Sequence, residues 1–160
     1  MTQDLSQSLA QTLDPAKRSW LESANAPDCD FSIQNLPFGI FSDVRNPTPR
    51  AGVAIGDWIV DLAALRTAGR LDIDADADAD VFARPSLNAF ISLGRDAWRG
   101  VRVQLSALLD AACPTLRDDA ALRERVFVPM QSATMHLPVD IPGYTDFYSS
   151  KEHATNVGAM

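Results

Sequence analysis

An α+β fold is expected of this 160-residue chain, on three grounds. Residues 38–60 hold three short segments of aromatic and β-branched residues separated by turn signals, as strands of a small sheet do. Residues 86–125 then switch to apolar spacings of three and four, the period of helices packed on a core. Close to the end, 144–148 alternate as a strand would before a helix-capping sequence. Composition agrees, because 46% hydrophobic and 22% charged residues is a globular balance. A chain of this length buries about 70% of its unfolded surface and needs no metal or disulfide to build a core.

The elements follow in order. Residues 1–13 are polar and Gln/Ser-rich, and are expected to be loosely held. Asp14-Pro15 predicts a helix start, with Asp as N-cap and Pro at the first helical position. That short helix would carry Trp20 and Leu21 and end at Asn25-Ala26-Pro27-Asp28. Phe38-Gly39-Ile40-Phe41 predicts a strand, followed by the turn-rich Asn46-Pro47-Thr48-Pro49. Val53-Ala54-Ile55 and Trp58-Ile59-Val60 flank Gly56-Asp57, a hairpin whose two-residue loop needs positive φ. Together these strands predict a small sheet or barrel.

Asp72, Asp74, Asp76, Asp78 and Asp80 alternate with Ile73 and alanines. A calcium loop starting at Asp72 fails, since Ala77 stands where the sharp turn needs Gly and Ala83 where the bidentate Glu belongs. The run is expected to be a solvated acidic loop. Ser86 then caps a helix bearing Leu87, Phe90 and Ile91, ended by Gly94. Trp98, Val101, Leu105, Leu108 and Ala112 form the apolar stripe of the next helix, closed by Pro114. The Thr115-x-x-Asp118 spacing predicts a third helix over Asp118 to Arg125.

Fourteen basic against 21 acidic residues leave a net charge of −7. That argues against binding nucleic acid, whose affinity rests on Lys and Arg neutralising phosphates, and against docking on anionic membranes. Cys29 and Cys113 are too few for a disulfide framework and lack C-x-x-C spacing. No apolar run approaches the ~18 residues of a membrane span, and the polar start is not a secretory signal. A cytoplasmic location is expected. The glycine-rich phosphate-binding and nucleophile-elbow motifs are missing from the sequence.

Chemistry concentrates in residues 144–158. The alternation there puts Tyr144, Asp146 and Tyr148 on one face. Ser149-Ser150-Lys151-Glu152 reads as a capping box with Ser149 as N-cap. His153 then falls in the first turn of a helix that Gly158 can end. The positive end of the helix dipole disfavours imidazolium, and a neutral imidazole is what a general base requires. On the residues alone the plainer reading leads, with Asp146 and Tyr148 as surface residues and His153 as a residue of a capped helix. His136, beside Leu137-Pro138, reads as structural.

The string Asp146-Phe147-Tyr148-Ser149-Ser150-x-x-His153-Ala154-Thr155-Asn156-Val157-Gly158 resembles the active-site signature of the fumarylacetoacetase family. Asp30-Phe31-x-Ile33-Gln34-Asn35-Leu36-Pro37-Phe38-Gly39, Gly52-Val53-Ala54-Ile55-Gly56-Asp57 and Ser132-Ala133-Thr134-Met135-His136-Leu137-Pro138 resemble it in the same order. The resemblance implies a small SH3-like β-barrel domain with helices over 31–138, after an extension with a short helix over 1–30. Residues 139–160 would open a β-roll catalytic domain. It further implies that Asp146 binds calcium or magnesium, that Tyr148 touches the substrate's carboxylate or enol oxygen, and that His153 activates water. The implied reaction is hydrolysis of a C–C bond in fumarylacetoacetate, giving fumarate and acetoacetate in tyrosine and phenylalanine catabolism, by a homodimer when full length.

One departure counts against a complete site. The family's Glu-x-Glu metal ligands have no counterpart, because the only glutamates are Glu22, Glu124 and Glu152. The family's later Arg, Tyr and Lys substrate contacts are also missing. The chain therefore looks like an amino-terminal portion, expected to be inactive alone. The alternative is a non-catalytic docking or oligomerisation module.

Overall fold

The hairpin forms where Gly56-Asp57 places it. In the computed structural model, which describes residues 9–73, 81–146 and 149–160, β2 (Arg50–Ile55) pairs with β3 (Trp58–Asp61) from Ile55↔Trp58 to Gly52↔Asp61. Gly56 takes φ +53°, the left-handed conformation that a tight hairpin loop needs. β1 (Phe38–Asp43) lies against β2, and β4 (Phe127–Pro129) and β5 (Ala133–His136) complete an antiparallel sheet of order β4-β3-β2-β1-β5.

That order forces curvature. The two outermost strands, β4 and β5, are joined by a single 3₁₀ turn, Met130–Ser132. Flat, they would stand about 19 Å apart, four strand spacings of about 4.8 Å. The link reaches at most about 14 Å when fully extended. The sheet must therefore curl into a half-barrel, and the fold is α+β as the sequence predicts.

Alternation assigns the two faces of the sheet. Ile40, Val53, Ile55 and Val60 point to the main core, which is closed by α1 (Leu62–Thr67), α2 (Asn88–Ser92), α3 (Arg95–Leu108), α4 (Pro114–Arg117) and α5 (Ala120–Val126). The predicted stripe is there: Val101 and Leu105 are buried, and Trp98 and Leu108 pack at the margin. Phe41, Ile59 and Val128 form a smaller cluster on the opposite face. Gly52 makes this cluster possible, since a Cβ there would stand 2.6 Å from Ile59 Cγ2 and 2.7 Å from Phe41 Cε1.

Several helix boundaries differ from expectation, each because another hydrogen bond wins. No helix opens at Asp14-Pro15. The Asp14 carboxylate accepts the Ala16 N–H at 2.8 Å in a turn, and within 14–28 only Glu22–Asn25 is helical, as a 3₁₀ turn. Residues 9–12, expected to be loosely held, are helical instead, with Thr12 buried and its hydroxyl accepting from Arg102 Nε at 3.2 Å. Trp20 and Ser19 are held instead by the end of α3, with Ser19 Oγ donating to Leu109 O at 2.8 Å and Trp20 Nε1 to Leu108 O at 3.1 Å. Ser86 does not cap α2, which has no side-chain cap. Pro114 does not close α3; it is the first residue of α4, and Ala112 lies exposed beyond the stripe. Asp118 pairs with Arg117 at 2.7 and 3.0 Å, so Asp119 becomes the cap of α5 and accepts the Leu122 N–H at 2.9 Å. Gly94, at φ +84°, ends one helix and starts the next. Of the Asp-Ala run, residues 74–80 lie outside the described residues.

Candidate functional site

The site expected at 144–158 begins where β5 ends. His136 is tied into the sheet, its Nε2 lying 2.8 Å from Ser42 Oγ. This fits the structural role expected of it and supplies a partner from the adjacent strand. Beyond it, Leu137, Ile141 and Tyr144 are exposed, Tyr144 at 91%.

The expected strand over 144–148 is not formed in its described part. Residues 144–146 have no regular structure, and no described strand lies alongside to take their backbone groups, which are left to water. Asp146 is exposed there. Tyr148 lies outside the described residues, as does Phe147, so the expected shared face of Asp146 and Tyr148 lies outside them too.

The helix after it does form, as α6 (Lys151–Ala159), but its cap is Ser150 and not Ser149. Ser150 Oγ accepts the His153 N–H at 3.1 Å and donates to Glu152 Oε2 at 3.1 Å. His153 therefore sits in the first turn, as expected, and is exposed. The Glu152 carboxyl is held below its ordinary value by its own backbone N–H and then by the Ser150 hydroxyl. Gly158 lies inside the helix and does not end it, and α6 buries no residue. This corner presents a histidine on a capped helix end, with a carboxylate at Asp146 before it.

The described residues do not by themselves complete a divalent-cation site. Among them, no three His, Cys, Asp or Glu side chains are grouped to hold a metal. Asp146 can offer at most two oxygens where calcium or magnesium takes six or more. An apolar cavity of about 250 Å³ on the second face of the sheet, lined by Phe31, Phe41, Gly52, Ala54, Met130 and Met135 among others, offers no side chain able to move a proton.

The sequence reading missed a buried charge network at the end of that second face. Arg50 Nε donates to Asp61 Oδ2 at 2.5 Å and Arg50 Nη2 to Asp43 Oδ2 at 2.8 Å. The side chains are only 6%, 7% and 2% exposed. The guanidinium also lies 4.3 Å above the Phe41 ring. Burial pushes the Asp43 carboxyl up, yet Arg50 and the backbone N–H groups of Asn46 and Arg45 outweigh it and hold it below the usual carboxylate value. The Asp61 Oδ1 caps α1 by accepting the Ala64 N–H at 2.9 Å. The network ties three strands, a loop and a helix together, and its role is structural.

Known proteins resemble the chain over most of its length. Residues 34–138 match the family described as Fumarylacetoacetase N-terminal. The chain belongs to this family. It is 52% identical over 135 residues to a fumarylacetoacetase of Bos taurus, covering 84% of this chain and 32% of the relative. The Homo sapiens fumarylacetoacetase is 50% identical over 135 residues, again 84% of this chain and 32% of the relative. That of Arabidopsis thaliana is 45% identical over 133 residues, 83% and 32%. The chain thus spans about a third of the length of the curated relatives it matches. The family match takes in the whole sheet and the helices of the main core, and it stops before Asp146. No helix among the described residues is long and apolar enough to cross a membrane.

Proposed function

We propose that this chain is the amino-terminal portion of a fumarylacetoacetase, an enzyme that hydrolyses a C–C bond of fumarylacetoacetate to fumarate and acetoacetate. The observation that carries the reading is the roughly half identity to relatives of that name across 84% of the chain. In this reading His153 is the general base. Its imidazole takes a proton from water, and the resulting oxygen nucleophile adds to one carbonyl of the diketone. The C–C bond then breaks toward the second carbonyl, and the enolate left behind takes up a proton as acetoacetate. The capped first turn supports this role, because the Ser150 cap fixes the His153 backbone.

Tyr148 is proposed to contact the substrate's carboxylate or enol oxygen. Asp146 is proposed as one ligand of a calcium or magnesium ion, with the remaining ligands outside this chain. Residues 31–138 would be an SH3-like barrel domain, 1–30 its extension, and 139–160 the opening of a β-roll catalytic domain. The five-stranded curled sheet with a 3₁₀ turn between its outer strands supports the barrel. The complete protein would act on a small molecule as a cytoplasmic homodimer, and this chain alone would be inactive.

A chimera tests the reading. Residues 1–160 replace the matching segment of the Bos taurus relative, and fumarylacetoacetate consumption is followed by its ultraviolet absorbance. Turnover within about tenfold of the parent relative is expected, since only positioning has been altered. A folded chimera without turnover would refute the reading and favour a non-catalytic docking module.

A further inference from the structure

We infer that Asn88 is a positioning residue, whose side-chain amide clamps Asp140 onto α2 and so fixes the point from which the chain sets out toward Asp146 and His153. The role in positioning rests on the site proposed above; the clamp itself does not.

Asn88 Nδ2 donates to Asp140 O at 2.9 Å, and Asn88 Oδ1 accepts the Asp140 N–H at 2.9 Å. One side chain thus takes both backbone groups of Asp140, the pairing a neighbouring strand would otherwise make. Two residues earlier, the Leu87 N–H donates to Pro138 O at 2.8 Å. Between these contacts Val139 packs against the main core. The segment is therefore stitched on alternate residues, with its apolar side chain turned inward.

The anchoring ends sharply. Residues 141–146 are exposed and without regular structure. With the clamp, the anchored stretch runs to Asp140; without it, the stretch ends at Val139, held only by the Leu87–Pro138 bond and its own packing. A base must sit within about an ångström of its working place, and a looser tether lowers the fraction of time it does so. Asparagine suits the task because its amide is both donor and acceptor at one length. Aspartate lacks the donor and alanine lacks both groups.

The experiment is native-state hydrogen exchange on the 160-residue chain, followed residue by residue by NMR. Asn88 is exposed, so Asn88→Ala should fold. In the variant the Asp140 amide should exchange about tenfold faster than in wild type, while the β1–β5 ladder amides keep their protection. Equal Asp140 exchange in the two proteins would overturn the clamp. In the chimera described above, Asn88→Ala should lower kcat about tenfold or more and move KM with it, because His153 and the proposed substrate contact Tyr148 follow Asp140 on the same stretch of chain. Faster exchange with an unaltered kcat would overturn the positioning role. A wild-type chimera without turnover would count against the proposed function, while the exchange rates would still decide the clamp.

Discussion

Replacing Arg50 with leucine should destabilise the fold by about 3–5 kcal/mol at neutral pH, the cost of stranding a buried charge by removing its partner. Arg50 makes hydrogen bonds to Asp61 and Asp43 at 2.5 and 2.8 Å, and further ones to Asn46 O at 3.0 Å and Thr48 O at 3.3 Å. The substitution would leave two carboxylates, 2% and 7% exposed on their side chains, with only the half-exposed Arg45, its Nε 3.9 Å from Asp43 Oδ1, as a cation beside them. Chemical denaturation followed by tryptophan fluorescence measures the loss. Its pH dependence is a second handle. The folded Asp43 carboxyl lies below its ordinary 3.8, so the stability it contributes is present above that value and is lost as pH falls through the lower, folded one. Without Arg50 much of that depression goes, and protonation relieves the stranded charges, so the gap between variant and wild type should narrow below about pH 4. A loss under about 1 kcal/mol at pH 7, or a gap that widens on acidification, would refute the reasoning.

Leu105 is fully buried on the α3 stripe, so Leu105→Ala should cost about 2–5 kcal/mol in the same assay, and a loss under about 0.5 kcal/mol would contradict the packing. Gly52→Ala should destabilise by about 1–3 kcal/mol, because its Cβ would meet Ile59 and Phe41 in a packed cluster. Gly100→Ala, in mid-helix with nothing within 4 Å, should stabilise by about 0.4–1 kcal/mol, and the same sign for both would defeat the contrast. The isolated chain should bind calcium or magnesium more weakly than about millimolar, since one carboxylate leaves the ion mostly hydrated; stoichiometric micromolar binding by calorimetry would show a site elsewhere, the Asp-Ala run included.

What was legible in the sequence was local. The Gly56-Asp57 hairpin and the Trp98/Val101/Leu105/Leu108 stripe follow from turn chemistry and a period, and both stand. Helix starts were read less well, because a cap is a competition among nearby acceptors that distant contacts decide. Asp118 lost to its neighbour Asp119 once Arg117 had claimed it. Ser86 does not cap α2, because the helix starts one residue later, with Leu87 at its N-cap. With adjacent serines at 149 and 150, either could cap, and a single residue of shift followed. The alternation at 144–148 promises a strand, but its described residues, 144–146, have no neighbouring strand among the described residues to pair with. The buried Arg50 network was within reach: the hairpin register pairs Gly52 with Asp61, which puts Arg50 on the same face, diagonal to that carboxylate. β4 and β5, three and four residues long, carry too little pattern to be read alone.

Among all these measurements, turnover of the chimera carrying His153→Ala bears most directly on the claim that this chain brings the general base to a fumarylacetoacetase site. The substitution changes an exposed side chain and leaves the Ser150 cap, which holds the His153 backbone N–H, in place. The kcat should fall about 10²–10⁴-fold with the fold and KM largely preserved. A variant retaining more than about a tenth of the parent kcat would contradict the assignment and return His153 to an ordinary residue on a helix surface.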